Sequence, residues 1–269
     1  MKTLYVSDLD GTLLAGNQKT SDFTNETINA LVKKGMIFSY ATARSYITAQ
    51  KATKGVNAKI PLIVYNGTFV VDNQTGKMMI SNYLPDDIGN VINDLINNGI
   101  YPIVYSFIDG KEKFSYVESR MSDGVKDFVN SRKGDIRENP VKTREELLQG
   151  KIFYISCIDD AHKLEIFYYK YKNRYRCLFQ KDVYTNDQWL EIMPLNATKA
   201  NAVLQVKERL GCDRVIAFGD GLNDMDMFKI ADASFAVANA ADELKSIATA
   251  VIQSNDDDGV AKFLKKIFN

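Results

Sequence analysis

The sequence predicts an α/β protein: a doubly wound, Rossmann-like parallel-sheet core interrupted by an inserted α+β unit. Three observations predict it. Apolar runs at residues 4–6, 36–41 and 61–65 each stop abruptly at small or polar residues, with helix-period segments between them. From about Tyr83 to Asp187 the rhythm changes, and strand-like runs follow one another over mostly short connections. From Leu190 the strand–helix alternation resumes. The expected division is a core of residues 1–82 and 188–269 and an insertion of residues 83–187.

The first strand leads into Asp8-Leu9-Asp10-Gly11-Thr12. Residues two apart on a strand point to the same face, so the two acids share the strand's carboxyl end. At about 4 Å and an effective dielectric near 20, two carboxylates repel by roughly 4 kcal/mol. A fold that keeps such a pair supplies a cation or shares a proton, unless the stretch is a solvated Asp-Gly turn. Next, Thr24 or Asn25 is placed to cap a helix carrying Ile28, Leu31 and Val32, and Gly35 to end it. The second strand stops at Thr42-Ala43-Arg44-Ser45, and a helix is predicted over residues 45–54. The third strand ends at Asn66-Gly67. A hairpin over residues 69–81 turns at Asn73-Gln74-Thr75-Gly76.

In the insertion, helices are predicted near residues 88–96, 125–129 and 161–171, with strands at 101–108, 113–118, 151–158 and 175–180. Thr143 to Glu146 reads as a capping box before Leu147. The dense tyrosines and phenylalanines read as core packing. After Leu190, Thr198-Lys199 opens a helix ending at Gly211. A strand over residues 214–218 breaks at Gly219-Asp220-Gly221-Leu222-Asn223-Asp224. Two more strands and three helices follow, and Asp256 to Asp258 supply negative charge at the start of the last helix.

Lysine plus arginine equals aspartate plus glutamate, 34 each, so no net field draws nucleic acid or an acidic membrane surface. Cys157, Cys177 and Cys212 are scattered and odd in number, which fits neither a disulfide framework nor a zinc site and suits a reducing compartment. Without a signal-peptide core or a membrane-length apolar run, a cytoplasmic protein is expected. The single histidine, His162, excludes chemistry needing two imidazoles and sits where a helix cap is expected.

Four places share one geometry, each where a predicted strand gives way to a loop or a helix begins: Asp8/Asp10, Thr42, Lys199 and Asp220/Asp224. Alone, Thr42 is explained as a helix cap, Lys199 as a solvated side chain and Asp224 as an N-cap. Together they form a chemical set of a nucleophile, a second acid, a hydroxyl, a cation and oxygen ligands for a hard metal. Oxygen ligands without histidine or cysteine favour Mg²⁺ over zinc.

On these residues the chain resembles the haloacid dehalogenase superfamily of phosphohydrolases. Asp8-Leu9-Asp10-Gly11-Thr12 resembles its first motif, Thr42 its second, Lys199 its third, and Gly219-Asp220 through Asn223-Asp224 its fourth. The insertion is similar to the type-2 cap, and Tyr65-Asn66-Gly67 resembles the Asn-Gly of the Cof-type branch. Ala43 stands where that branch usually has glycine before Arg44, and Ala200 where glycine often follows the lysine.

The resemblance implies a Mg²⁺-dependent phosphatase acting on a small phosphorylated metabolite, a sugar phosphate being the first choice. Asp8 is implied as nucleophile, Asp10 as acid and base, and Asp8, Asp220 and the Asp10 carbonyl as metal ligands. Asp224 is implied to support Lys199 or metal-bound water. Thr42 and Lys199 are implied to hold phosphoryl oxygens, with Arg44, Asn66, Gly67 and Asn223 at the phosphate or leaving group. A phosphotransferase or mutase of the same fold, and a non-catalytic sensor of a phosphometabolite, are the alternatives.

Overall fold

The computed structural model describes residues 1–181 and 187–268, and the chain divides into two compact units, Met1–Ser81 with Ala197–Asn269, and Asn82–Asn196. The first unit begins with β1 (Thr3–Ser7), α1 (Asp22–Lys33), β2 (Ile37–Ala41), α2 (Tyr46–Ala52), β3 (Pro61–Val64), β4 (Phe69–Asp72) and β5 (Met78–Ser81). The cap of α1 is Ser21, whose Oγ accepts from the Thr24 N–H at 3.0 Å, so the helix starts before the expected Thr24 or Asn25. Those two side chains lie in its buried first turn and bond elsewhere: Thr24 Oγ1 donates to Asp258 and Asn25 Oδ1 accepts from Thr20. Gly35, at φ +101°, follows the helix end as expected.

The second unit comprises α3 (Ile88–Asn97), β6 (Ile103–Ile108), β7 (Lys111–Val117), α4 (Asp123–Asn130), β8 (Glu138–Val141), β9 (Lys151–Ile158), α5 (Ala161–Tyr171), β10 (Arg176–Lys181) and β11 (Gln188–Met193). They form a six-stranded sheet in the order β10-β11-β9-β6-β7-β8, antiparallel except for β7–β8. Ile88, Val91, Ile92 and Leu95 of α3 pack with Leu164 and Phe167 of α5 over Val104, Ile155 and Ile192. Tyr105, Phe114, Phe128, Phe153 and Trp189 make ring-to-ring contacts.

Three sequence expectations change here. Strand β11 pairs with β9 and β10, so the passage back to the first unit falls at 196/197 instead of 187/188. Its apolar run reads like a core strand, and nothing local says which sheet accepts it. Strand β8 was not expected; it is a sheet edge containing Pro140, where a missing N–H is tolerated. The cap of α5 is Asp160, whose carboxylate accepts from the His162 N–H at 2.8 Å, so His162 contributes only its backbone. The Thr143/Glu146 box does form, with Glu146 Oε2 accepting from the Thr143 N–H at 3.0 Å, but it starts only the single turn Glu146–Leu148.

The chain returns with α6 (Lys199–Leu210), β12 (Arg214–Gly219), α7 (Met225–Ile230), β13 (Ala233–Val237), α8 (Asp242–Ile247), β14 (Ala250–Ile252) and α9 (Gly259–Ile267). The first unit's sheet has eight strands in the order β14-β13-β12-β1-β2-β3-β4-β5, parallel from β14 to β3. Nearly every position of β1 and β2 is buried, as expected of a parallel sheet covered on both faces. From β1 the chain first builds outward through β2 and β3, and later on the opposite side through β12. This reversal makes the carboxyl ends of β1 and β12 a topological switch point, the place where open α/β sheets bind their ligands. The acidic run does precede α9, but Asp258 accepts from Ser21 Oγ at 2.5 Å and Thr24 Oγ1 at 2.8 Å instead of capping its own helix. Among the described residues no helix is long and apolar enough to cross a membrane.

Candidate active site

Parallel pairing of β1 with β12 carries the Asp8 N–H onto the Phe218 carbonyl at 2.9 Å. Asp8 and Asp220 therefore leave adjacent strand ends together. After Asp8 the chain makes one wide turn, Leu9–Leu13, closed by the Leu14 N–H on the Leu9 carbonyl at 2.9 Å. Gly11 occupies φ +75°, and a Cβ there would fall on the Asp220 carboxylate. Only glycine serves at this point, because both the conformation and the close approach exclude a side chain. Thr12 Oγ1 then donates to Asp220 Oδ1 at 2.8 Å.

Lys199 opens α6, which Thr198 caps by accepting from the Asn201 N–H at 3.0 Å. Its ammonium donates to Asp8 Oδ1 at 2.5 Å and Asp224 Oδ1 at 2.8 Å. Lys199 and Asp224 are 2% and 0% exposed, so the pair is withdrawn from water. Asp224 Oδ2 accepts from the backbone N–H groups of Asp220 and Gly221, each at 3.1 Å. Carboxylate oxygens of Asp8, Asp220 and Asp224 all lie within 4.8 Å of one another.

Three carboxylates around one ammonium leave the cluster with surplus negative charge, and the proton affinities follow. Burial pushes Asp8 well above the usual carboxylate range; Lys199 opposes this, and Asp224 and Asp220 add to it. Burial also raises Asp220, against the Thr12 hydrogen bond and with repulsion from Asp224. For Lys199, burial favours the neutral amine, but Asp8 and Asp224 outweigh it and hold the ammonium above the ordinary lysine range. An all-oxygen donor set with unbalanced negative charge fits a hard divalent cation.

The carboxylate of Asp10 lies outside this triad and turns to Arg44. Arg44 Nε donates to Oδ2 at 2.8 Å and Nη2 to Oδ1 at 2.5 Å. Thr42 is fully buried, and its Oγ1 accepts from the Arg44 N–H at 3.1 Å. The loop after β2 and the turn after β3 are tied together, since Asn66 N–H donates to the Thr42 carbonyl and Tyr65 N–H to the Arg44 carbonyl, both at 2.9 Å. Tyr65, Asn66 and Gly67 all have positive φ, a sparsely populated run for non-glycine residues. A Cβ on Gly67 would overlap the Thr198 carbonyl, so this turn abuts the start of α6. Asn223 lies exposed in the turn Leu222–Asp224, its Oδ1 close over Gly221.

The structure thus brings Asp8, Lys199, Asp220 and Asp224 into one cluster, and joins Asp10 to Arg44 and Thr42 to Asn66 beside it. Thr12 belongs to the cluster but was not assigned a role from sequence. Its place two residues after Asp10, at a strand's carboxyl end, was the available signal.

A family model described as haloacid dehalogenase-like hydrolase matches residues 5–264. The chain is 27% identical over 281 residues to the 5-amino-6-(5-phospho-D-ribitylamino)uracil phosphatase YitU of Bacillus subtilis, covering 99% of this chain and 97% of that one. It is 29% identical over 290 residues to the same organism's YwtE, a phosphatase of the same name, covering 100% and 99%. In fold it is similar to the X-ray structure of TM0651 from Thermotoga maritima, with a TM-score of 0.81, 23% identity and coverage of 99% and 98%. A haloacid dehalogenase-like hydrolase from Bacteroides thetaiotaomicron gives a TM-score of 0.80 at 23% identity, covering 99% and 100%. With the family model running from β1 into α9, this chain belongs to the haloacid dehalogenase-like hydrolases and is one of their phosphatases.

Proposed function

We propose that this phosphatase is Mg²⁺-dependent and hydrolyses a small phosphorylated polyol or sugar through an aspartyl-phosphate on Asp8. The observation that carries the reading is the buried Asp8 carboxylate, bonded to Lys199 at 2.5 Å and grouped with Asp220 and Asp224. Two relatives named for a phosphoribityl substrate support the substrate class.

Asp8 is the nucleophile, its Oδ1 bonded to Lys199 and its backbone fixed by the β1–β12 pairing. Lys199 neutralises phosphoryl charge as the new bond forms, and Asp224 holds Lys199 in place. Asp10 protonates the leaving oxygen and then draws a proton from the water that hydrolyses the intermediate. Arg44 orients that carboxylate. Thr42, Asn66, Gly67 and Asn223 bind phosphate or leaving group. Asp8, Asp220 and the Asp10 carbonyl would hold Mg²⁺, which when bound supplies positive charge to a phosphoryl oxygen and to Asp8. Asp224 is left outside that set because both its oxygens are engaged.

The test is a panel of phosphomonoesters, with Mg²⁺ or with EDTA, on wild type and Asp8→Asn. Phosphate release that needs Mg²⁺ and disappears in Asp8→Asn is expected. Wild-type, Mg²⁺-dependent turnover by Asp8→Asn would overturn the proposal.

A further inference from the structure

The turn between Asp10 and Thr12 is held by a residue far along the chain. Asn239, just beyond the end of β13, donates its Nδ2 to the Gly11 carbonyl at 2.7 Å. Its amide can face only one way. Oδ1 accepts from the Asn255 N–H at 3.1 Å and from Ser254 Oγ at 3.2 Å, so the NH₂ group must face Gly11. A flipped amide would set donor against donor at Asn255 and acceptor against acceptor at Gly11.

We propose that Asn239 is a positioning residue for the phosphatase reaction, locking the Gly11–Thr12 peptide and through it the Asp220 carboxylate. Gly11 packs directly on that carboxylate, and Thr12 donates to it at 2.8 Å. Rotation of this peptide would withdraw the Thr12 hydroxyl and drive Gly11 against Asp220. It would also swing the Asp10 side chain, one residue earlier. The inference rests on the reading that Asp8, Asp10 and Asp220 form the active site.

Two further bonds anchor the same limb farther out and provide an internal comparison. Asn255 Nδ2 donates to the Leu14 carbonyl at 2.9 Å, and the Gly16 N–H donates to Asp256 Oδ1 at 2.7 Å. Asp256 and Asn239 both tie the C-terminal region to this limb, but only Asn239 reaches the turn itself. If the limb merely needs anchoring, removing either should have the same effect.

Asn239→Asp is nearly isosteric, keeps the acceptor for Asn255 and Ser254, and opposes an oxygen to the Gly11 carbonyl. Asn239 is exposed, so the fold tolerates the change; Asn239→Ala removes the donor without adding charge. In the full chain with Mg²⁺, both variants should lower kcat about 10- to 100-fold while KM changes less than about 3-fold. Hydrogen exchange at the Leu14 amide, which closes the turn onto Leu9, should accelerate. Asp256→Ala should leave kcat and Leu14 exchange within about 2-fold of wild type. Wild-type kcat in the Asn239 variants, or an equal fall in Asp256→Ala, would overturn the proposal. Full turnover by Asp8→Asn would instead overturn the active-site reading, while Leu14 exchange still reports whether Asn239 grips the turn.

Discussion

Lys199 is held by Asp224 at 2.8 Å, and the other oxygen of Asp224 is spent on the backbone of the loop that carries Asp220. One carboxylate therefore sets two parts of the site at once, the ammonium and the loop. In Asp224→Asn an amide cannot satisfy both, because its NH₂ must face either Lys199 or two N–H donors. The expected result is a fall in kcat of about 10- to 100-fold. In saturating Mg²⁺, stability should fall by about 1–3 kcal/mol for the donors left unpaired. Steady-state kinetics and urea unfolding check both, and unchanged values would show that Lys199 keeps its place through Asp8 alone.

Gly67 and Gly35 share a positive φ, +99° and +101°, but not their surroundings. At Gly35 a Cβ meets nothing within 4 Å, whereas at Gly67 it overlaps the Thr198 carbonyl that begins α6. Gly35→Ala should cost about 1 kcal/mol from conformation alone and leave kcat unchanged. Gly67→Ala should cost about 3 kcal/mol and reduce kcat, because relieving the overlap displaces the helix start that carries Lys199. Equal stability losses in the two variants would mean that the turn does not brace α6.

The doubly wound core was legible in the sequence because parallel strands buried on both faces appear as short apolar runs ending in polar residues. The cluster was legible because Asp8, Lys199 and Asp220 stand where such runs end or where a helix begins. What stayed hidden depends on partners distant in sequence. The sheet that accepts β11 is chosen by β9 and β10, not by residues 188–193 themselves. Asp258 looks like a helix-start charge, yet its partners are Ser21 and Thr24. Asn239 carries no local signal of its bond to Gly11, since nothing in the sequence places these residues together.

Arg44 grips Asp10 through two nitrogens, a fork that lysine cannot reproduce. The Asp10 side chain is 50% exposed, so the pair adds less than about 1 kcal/mol to stability. Its contribution is orientation of the proposed acid and base. Arg44→Lys should therefore keep its melting temperature within a few degrees and lose about 10- to 100-fold in kcat. If turnover is retained, Asp10 finds its working orientation without the fork.

Asp8 and Asp220 both bind their protons more tightly than an ordinary carboxylate, chiefly because burial disfavours their charged forms. A carboxyl raised in this way stabilises the fold below the ordinary range near pH ~4, and that stability is lost as pH rises through the raised value. Metal-free protein should accordingly lose thermal stability on going from acid toward neutral pH through these two groups. The proposed Mg²⁺ would bind the ionised carboxylates and should act in the opposite direction. At 100 times its Kd it adds about 2.7 kcal/mol, or roughly 5–10 °C for a unit of this size. The gap in melting temperature between Mg²⁺ and EDTA should therefore widen between about pH 5 and about pH 8. In Asp220→Asn the gap should shrink, because a ligand oxygen and a negative charge are lost together. A gap that is independent of pH, or intact in Asp220→Asn, would place Mg²⁺ away from these carboxylates.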